Sequence, residues 1–238
     1  MRIVSLVPSL SELLWWLGAG SSLVGRTTYC VEPPEMAAAV PALGGTKTPN
    51  IEAIDALRPD VVIANQEENR REDVEALRSR GLRVVVTRID SLEEAMDTIV
   101  KLGELVGAEQ RARDLVRRIR SEVHQGAPGR RRVFVAVWGR PLMGLGSRTF
   151  GDAMLRAAGA ENVLAGQTRY PRVTLDDVRA AAPELILLPD EPYRFQERHR
   201  PPFEAIAPAR LVDGKLLWWY GPRIPDSLAT LRRIIAET

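Results

Sequence analysis

Aromatic and polar side chains recur at the places where predicted β-strands end. In an open α/β sheet, ligands bind beyond the carboxyl ends of the strands, so these positions are the first candidates for chemistry. The candidate binding residues come from both halves of the chain: Pro8, Tyr29, Asn65, Gln66, Glu67, Trp138, Tyr170, Trp218, Trp219 and Tyr220. Aromatic faces supply apolar contact area with little conformational freedom to lose. The pattern therefore predicts a site for a large, flat or ring-shaped ligand.

Signals for catalysis are weak by comparison. The glycine-rich segments 18–20 and 144–147 lack the preceding strand or the lysine that a phosphate-binding loop needs. His124 and His199 have no nucleophile or carboxylate at motif spacing, and two distant histidines do not make a metal cluster. The lone Cys30 is predicted to fill core space rather than act as a soft ligand or nucleophile. We predict no catalytic residue, no metal site, no bound cofactor and no enzymatic activity.

Composition limits the classes of partner. The chain has 238 residues, 45% of them hydrophobic and 27% charged, which is typical of a globular protein. A formal net charge of +2 gives no electrostatic footprint for nucleic acid or for an anionic membrane. The first residues read as a strand, and no apolar run is long enough for a signal peptide or a membrane span. On this ground a cytoplasmic location stays open.

Strand and helix patterns alternate along the chain, which favours an α/β fold with mainly parallel strands. The segment Ser9-Leu10-Ser11-Glu12 predicts a capping box at the start of the first helix. Asn50 is predicted to cap a helix over 51–57, which Pro59 ends before a buried strand over 61–64. A long amphipathic helix is predicted from Glu109 to His124, ended by the segment 126–129.

An internal repeat divides the chain into similar halves. The shared features are a Gly-Ala turn, a Gly-x-Thr segment, a capped helix, a proline, an acidic residue and a strand. Asn50 and Asp60 in the first half correspond to Thr174 and Glu184 in the second. We predict an N-terminal α/β lobe over 1–106, a linker helix over 107–128 and a C-terminal α/β lobe over 129–238.

Several of these segments resemble a known family, the helical-backbone (cluster A or class III) substrate-binding proteins of ABC importers, and within it the cobalamin-binding branch. The resemblance covers nearly the whole chain and is carried by these segments: 2–9 with Glu12, 24–25, Tyr29 with Pro33-Pro34, 50–64, 131–135 and 221–223. It implies two Rossmann-like lobes with mainly parallel sheets, joined by a single long α-helix.

The resemblance also implies a function. A member of this family captures a large metal chelate in a cleft between its lobes and delivers it to a membrane permease. We accordingly expect a monomer that binds cobalamin or another corrinoid, located in the periplasm or on the cell surface. The same fold accommodates haem or a ferric siderophore, and both alternatives stay open. An alternative from another class is a cytoplasmic two-lobed α/β enzyme, such as a transferase.

Site residues follow from the resemblance position by position. Tyr29 matches a tyrosine that lines the cobalamin site, whereas Asn65 stands where the cobalamin branch has a tryptophan. The segment 218–220 takes the place of the aromatic segment in the second lobe. The family docks on permease arginines through an acidic residue of each lobe, and Glu68 and Glu72 are the candidates in the first lobe.

Overall fold

A parallel β-sheet lies at the centre of each half of the chain. The computed structural model describes residues 1–125 and 131–237. These residues form two units, and the first unit comprises Met1–Ile89, Glu93–Arg117 and Tyr220–Pro222. The second unit comprises Asp90–Leu92 and the described residues of 118–219 and 223–237.

The first unit contains four parallel strands in the order β2-β1-β3-β4. Its strands are β1 (Ile3–Ser5), β2 (Leu23–Arg26), β3 (Val61–Asn65) and β4 (Val84–Thr87). Its helices are α1 (Pro8–Trp16), α2 (Pro34–Ala39), α3 (Ile51–Ala56), α4 (Arg71–Ser79) and α5 (Leu92–Val106), with a 3₁₀ turn at Gly20–Ser22. Every residue of β1 and β3 is buried, as expected for central strands covered by helices on both faces.

The helix α6 (Glu109–His124) carries the chain from the first unit into the second, with the boundary at Arg117 and Arg118. Its limits confirm the helix predicted from the apolar periodicity. The segment 126–129, predicted to end this helix, lies outside the described residues, as do the first two residues and the last residue of the predicted C-terminal lobe. The boundaries 1–106, 107–128 and 129–238 stay a prediction.

The second unit repeats the arrangement with one antiparallel addition. Its strands are β5 (Arg131–Gly139), β6 (Leu142–Gly144), β7 (Ala160–Asn162), β8 (Leu185–Pro189) and β9 (Ala209–Val212). Its helices are α7 (Phe150–Ala157), α8 (Leu175–Ala180), α9 (Pro201–Glu204), α10 (Lys215–Trp218) and α11 (Ile224–Ala236), with a 3₁₀ turn at Glu197–His199. The order is β6-β5-β8-β9; β7 pairs in parallel with the start of β5, and β6 pairs antiparallel with its end. The predicted α/β class with mainly parallel sheets is confirmed.

Equivalent contacts in the two units confirm the internal repeat. The backbone N–H of Arg2 donates to the Asp60 carboxylate at 2.6 Å, and that of Arg132 donates to the Glu184 carboxylate at 2.8 Å. The Arg2 guanidinium also donates to the backbone carbonyl of Leu57, just after α3. The Arg132 guanidinium likewise donates to the carbonyls of residues 181 and 182, just after α8. The same set of contacts therefore links β1 to β3 in the first unit and β5 to β8 in the second.

The first residues of α1, α3 and α8 show which of the predicted capping signals are correct. Asn50 caps α3 by accepting from the backbone N–H of Ala53, and Thr174 caps α8 within a full capping box. The capping box predicted at Ser9 is wrong, because α1 begins at Pro8 with Val7 as its N-cap, two residues earlier than a cap at Ser9 requires. Proline is well suited to the first helical turn, where its missing N–H costs nothing, and it sets the helix start here.

Candidate functional site

The carboxyl ends of β1, β2, β3 and β4 lie at one edge of the first sheet, since all four strands are parallel. Pro8, Tyr29 and Asn65 follow or end β1, β2 and β3, which are neighbours in that sheet. The structure therefore brings these predicted residues to one edge, which we call the first carboxyl edge.

Asn65 organises the loop at this edge. It is only 1% exposed; its carboxamide oxygen accepts from the backbone N–H of Glu67 at 2.9 Å and of Glu68 at 3.4 Å, and its amide group donates to Thr87. Both ends of this side chain are therefore occupied by the protein. The neighbouring Gln66 is exposed and Glu67 half-buried, so the loop, more than Asn65 itself, faces solvent.

Asn69 ties the same loop to the rest of the first unit. Its buried side chain accepts from the backbone N–H of Asn65 at 2.8 Å and donates to the carbonyls of Leu6 and Thr46 at 3.2 and 3.0 Å. A buried amide with partners at both ends fixes a loop strongly, because leaving either end unpaired costs desolvation. Asn69 was not among the predicted site residues, although asparagine is frequent in turns because its side chain hydrogen-bonds to nearby backbone groups.

Tyr29 is the most exposed large aromatic residue at the first carboxyl edge, with 64% of its surface accessible. The buried residues Thr27 and Cys30 hold its segment in place, with the Thr27 oxygen and the Cys30 sulfur 3.1 Å apart. Ser11 also donates to the Cys30 sulfur at 3.2 Å. Burial raises the pKa of the Cys30 thiol, which is the environment of an unreactive core cysteine. The prediction that Cys30 is a core residue is confirmed, and its role is to hold the loop that presents Tyr29.

The acidic residues near this edge differ in exposure. Lys47 donates to the backbone carbonyl of Glu67. Desolvation of the half-buried Glu68 raises the pKa of its carboxyl; Lys47 opposes this rise and Glu67 adds to it. The Glu72 side chain, by contrast, is 68% exposed in the first turn of α4 and lies 3.7 Å from the Arg70 guanidinium.

Trp138 lies near the carboxyl end of β5 and is 40% exposed. Its ring meets Tyr193 edge-on, with centroids 5.4 Å apart, and Tyr193 packs on Phe195 at 4.8 Å. Phe195 in turn contacts Phe203, whose ring lies 6.4 Å from that of the fully buried Phe134. Trp138 is thus the exposed end of an aromatic series that starts in the core. Tyr193 was not among the predicted residues, because it lies four positions beyond the end of β8.

The consecutive tryptophans Trp218 and Trp219 share one partner. The indole N–H of Trp218 donates to the backbone carbonyl of Glu191 at 2.7 Å, and that of Trp219 donates to the Glu191 carboxyl at 2.8 Å. Burial is the largest cause that raises the pKa of Glu191, to about 7. Trp218 is half-buried, whereas Trp219 is only 6% exposed.

The remaining predicted residues, Tyr170 and Tyr220, are less exposed than Tyr29 and Trp138. Tyr170 is half-buried, with the Arg169 guanidinium 5.6 Å from its ring centroid. The same guanidinium donates to Asp90 at 2.7 Å, which fixes it beside the ring. Tyr220 is buried in the first unit. Ligand contacts of all these residues stay predictions.

Metal centres and membrane spans are two other kinds of site that the described residues could form. Across residues 1–125 and 131–237, His, Cys, Asp and Glu side chains do not gather in threes at any place suited to a metal ion. Within the same residues, no helix combines the length and apolar character needed to cross a membrane.

Comparison with known proteins defines the class: residues 3–199 match the periplasmic binding protein family, and the chain belongs to that family. The matched proteins are binding proteins, so the prediction that the chain is not an enzyme is confirmed and the transferase alternative is set aside.

Individual relatives include transport proteins with and without a named ligand. An uncharacterised ABC transporter substrate-binding lipoprotein of Bacillus subtilis is 29% identical over 201 residues, covering 79% of this chain and 63% of that protein. The chain thus spans less than two thirds of that relative's length. A vitamin B12-binding protein of Salmonella choleraesuis is 28% identical over 193 residues, 79% of this chain and 71% of that protein.

Solved structures agree on the fold. A periplasmic haem-binding protein of Pseudomonas aeruginosa superposes with a TM-score of 0.84 at 27% identity, over 98% of this chain and 92% of that chain. The periplasmic vitamin B12-binding protein of Vibrio cholerae has a TM-score of 0.84 at 23% identity, over 98% and 96% of the two chains. The predicted family resemblance is confirmed.

Proposed function

We propose that this protein captures a large metal chelate, in the first place cobalamin, and delivers it to the permease of an ABC importer. The observation that carries the proposal is the exposure of aromatic side chains at strand ends, Tyr29 in the first unit and Trp138 in the second. Exposed aromatic residues on an ordered scaffold bind extended ring systems without losing much side-chain entropy. The similarity to vitamin B12-binding proteins supports cobalamin as the first ligand to test.

Haem is the second candidate, and Tyr29 again supports it. A tyrosine phenolate is an established axial ligand of haem iron, and the Tyr29 ring is open to solvent. The 27% identity to a haem-binding protein points the same way. Cobalamin would use the ring face of Tyr29, whereas haem would also use its oxygen.

Two substitutions of Tyr29 separate these ligands. Native mass spectrometry with cyanocobalamin, haemin and a ferric siderophore identifies which probe the wild type binds. Tyr29→Ala should weaken either cobalamin or haem by about 5- to 150-fold, the effect of a lost aromatic anchor. Tyr29→Phe should leave cobalamin affinity nearly unchanged, but it should abolish the absorption band of an iron-bound phenolate.

Trp138→Ala should also weaken binding, and Trp15→Phe on α1 is the control for a tryptophan away from the strand ends. Calorimetric titration of each variant, together with a thermal melt, separates lost binding from lost folding. Equal affinities for the wild type, Tyr29→Ala and Trp138→Ala, with the fold intact, would contradict the proposed site.

For docking on the permease, the exposed Glu72 is a better candidate than the half-buried Glu68. A charge that makes a partner contact must be accessible, and desolvation of Glu68 already disfavours its ionised form. Glu72→Lys should abolish binding to a reconstituted permease, whereas Glu75→Lys on the same helix is the matched control. Binding of Glu72→Lys at the wild-type level would exclude Glu72 as the docking acid.

A further inference from the structure

Glu191 holds two indoles with two different oxygens. Its backbone carbonyl accepts from Trp218 at 2.7 Å and its side-chain Oε1 accepts from Trp219 at 2.8 Å. Trp218 ends α10, and Trp219 follows in extended conformation. A single residue after β8 therefore fixes the orientation of a tryptophan pair 27 and 28 positions further along the chain.

The backbone at Gly214 packs closely against Glu191. A Cβ added at Gly214 would lie 2.4 Å from the Glu191 side chain and 2.8 Å from its carbonyl oxygen, so only glycine permits this approach. The backbone N–H of Gly214 also donates to Asp190 at 2.8 Å. A Cβ at Gly151 on α7 would lie 2.7 Å from the Trp218 ring, so α7 packs closely against Trp218.

Several charged groups lie on the elements around Glu191 and the two tryptophans. The Lys215 ammonium on α10 and the Arg223 guanidinium at the start of α11 lie 5.8 and 5.1 Å from the centroid of the Trp219 ring. Desolvation raises the pKa of Glu191 to about 7; Lys215 and the Trp219 N–H lower it, and Asp190 and Asp213 raise it. On α7, the buried Asp152 is paired with Arg156 and Asn162.

We infer that Glu191 is a positioning residue that sets the orientations of Trp218 and the buried Trp219 that follows it in sequence, and thereby the partly exposed Trp218 ring that this segment offers to the ligand. The inference rests on the proposed function for its second part, but its first part concerns the ligand-free protein. A carboxylate accepts a hydrogen bond more strongly than a neutral carboxyl group or an amide does. The hydrogen bond from the Trp219 indole N–H to the Glu191 side chain should therefore strengthen as Glu191 loses its proton.

The ligand-free test follows the indole N–H resonances of ¹⁵N-labelled protein from pH 6 to pH 8, assigned with Trp218→Phe and Trp219→Phe. The Trp219 resonance of the wild type should titrate with a midpoint near 7, and Glu191→Gln should abolish this step while keeping an acceptor. Asp190→Asn, which removes the adjacent charge, should keep it. A step that persists in Glu191→Gln belongs to another group and would overturn the inference. The absence of any step would overturn it as well.

The ligand-bound test uses cyanocobalamin as the probe. Affinity should fall about fivefold from pH 8 to pH 6 in the wild type, while Glu191→Gln should show the lower value at both pH values. Glu191→Ala should bind still more weakly, and if it does not fold, the Gln variant alone decides. If the indole titration occurs but affinity is the same for wild type and Glu191→Gln at both pH values, Glu191 positions the tryptophans without serving the ligand. If the wild type binds no probe, the proposed function fails, while the indole titration still decides the positioning role.

Discussion

Glu191 should make the second unit less stable as the pH rises from 5 to 8. Desolvation raises the pKa of its carboxyl from 4.5 to about 7, against the opposing effects of Lys215 and the Trp219 N–H. The folded state therefore holds this proton more tightly than the unfolded state does. The resulting stabilisation is fully present below about pH 4.5 and is lost as the pH rises through about 7.

The size of the effect follows from the two pKa values. At 1.36 kcal/mol per pH unit, the interval from 4.5 to about 7 corresponds to about 3 kcal/mol in the free energy of unfolding. About 2.5 kcal/mol of this should fall between about pH 5 and pH 8, because the unfolded-state carboxyl is already largely ionised at the lower pH. Glu191→Gln has no carboxyl to ionise, so its stability relative to wild type should increase by that amount over this range.

Urea unfolding followed by circular dichroism at several pH values from 5 to 8 measures this difference. Glu52→Gln, an exposed glutamate on α3, is the control for the same change of side chain. If the difference between Glu191→Gln and wild type changes by less than about 1 kcal/mol across the range, burial does not perturb Glu191 as argued.

Three further predictions concern packing and the loop after β3. Gly214→Ala should lower stability by about 1–3 kcal/mol, since its Cβ would overlap Glu191, whereas Gly166→Ala, where a Cβ meets open space, should change the melting temperature little. Asn69→Ala should destabilise by about 1–3 kcal/mol by leaving buried partners unpaired, and hydrogen exchange should accelerate in that loop; unchanged exchange would contradict its tethering role. Phe134→Ala should cost about 3–5 kcal/mol in chemical denaturation because the ring is fully buried, with Phe134→Leu losing clearly less; equal losses would argue against a cavity.

Local sequence signals predicted the elements well where they act over a few residues. The cap at Asn50, the helix from Glu109 to His124 and the buried strand before Asn65 all depend on neighbours within one or two turns. The start of α1 shows the limit of such signals, because the sequence predicts Ser9 as the cap, whereas Pro8 occupies the first helical position. Two competing local signals cannot be ranked without the backbone conformation.

The sequence predicted which site residues lie at strand ends, but not how much of each side chain is exposed. The strand-end rule placed Tyr29 and Trp138 correctly at carboxyl ends, and both are exposed. It also named Asn65 and Trp219, which the structure buries. Exposure depends on what packs over a residue, and that neighbour comes from a distant part of the chain.

The sequence by itself determined the α/β class, the internal repeat and the family, because periodicity, caps and motif order are written in residues close to one another. Only the tertiary structure decided that Glu191 meets Trp218 and Trp219, and that Tyr193 supports Trp138. These contacts join segments up to 55 positions apart in sequence. They exist because β5 and β8 are adjacent in the sheet, and because Gly214 lets its turn approach the end of β8. Strand order and close approach are properties of the packed chain, and no short-range pattern encodes them.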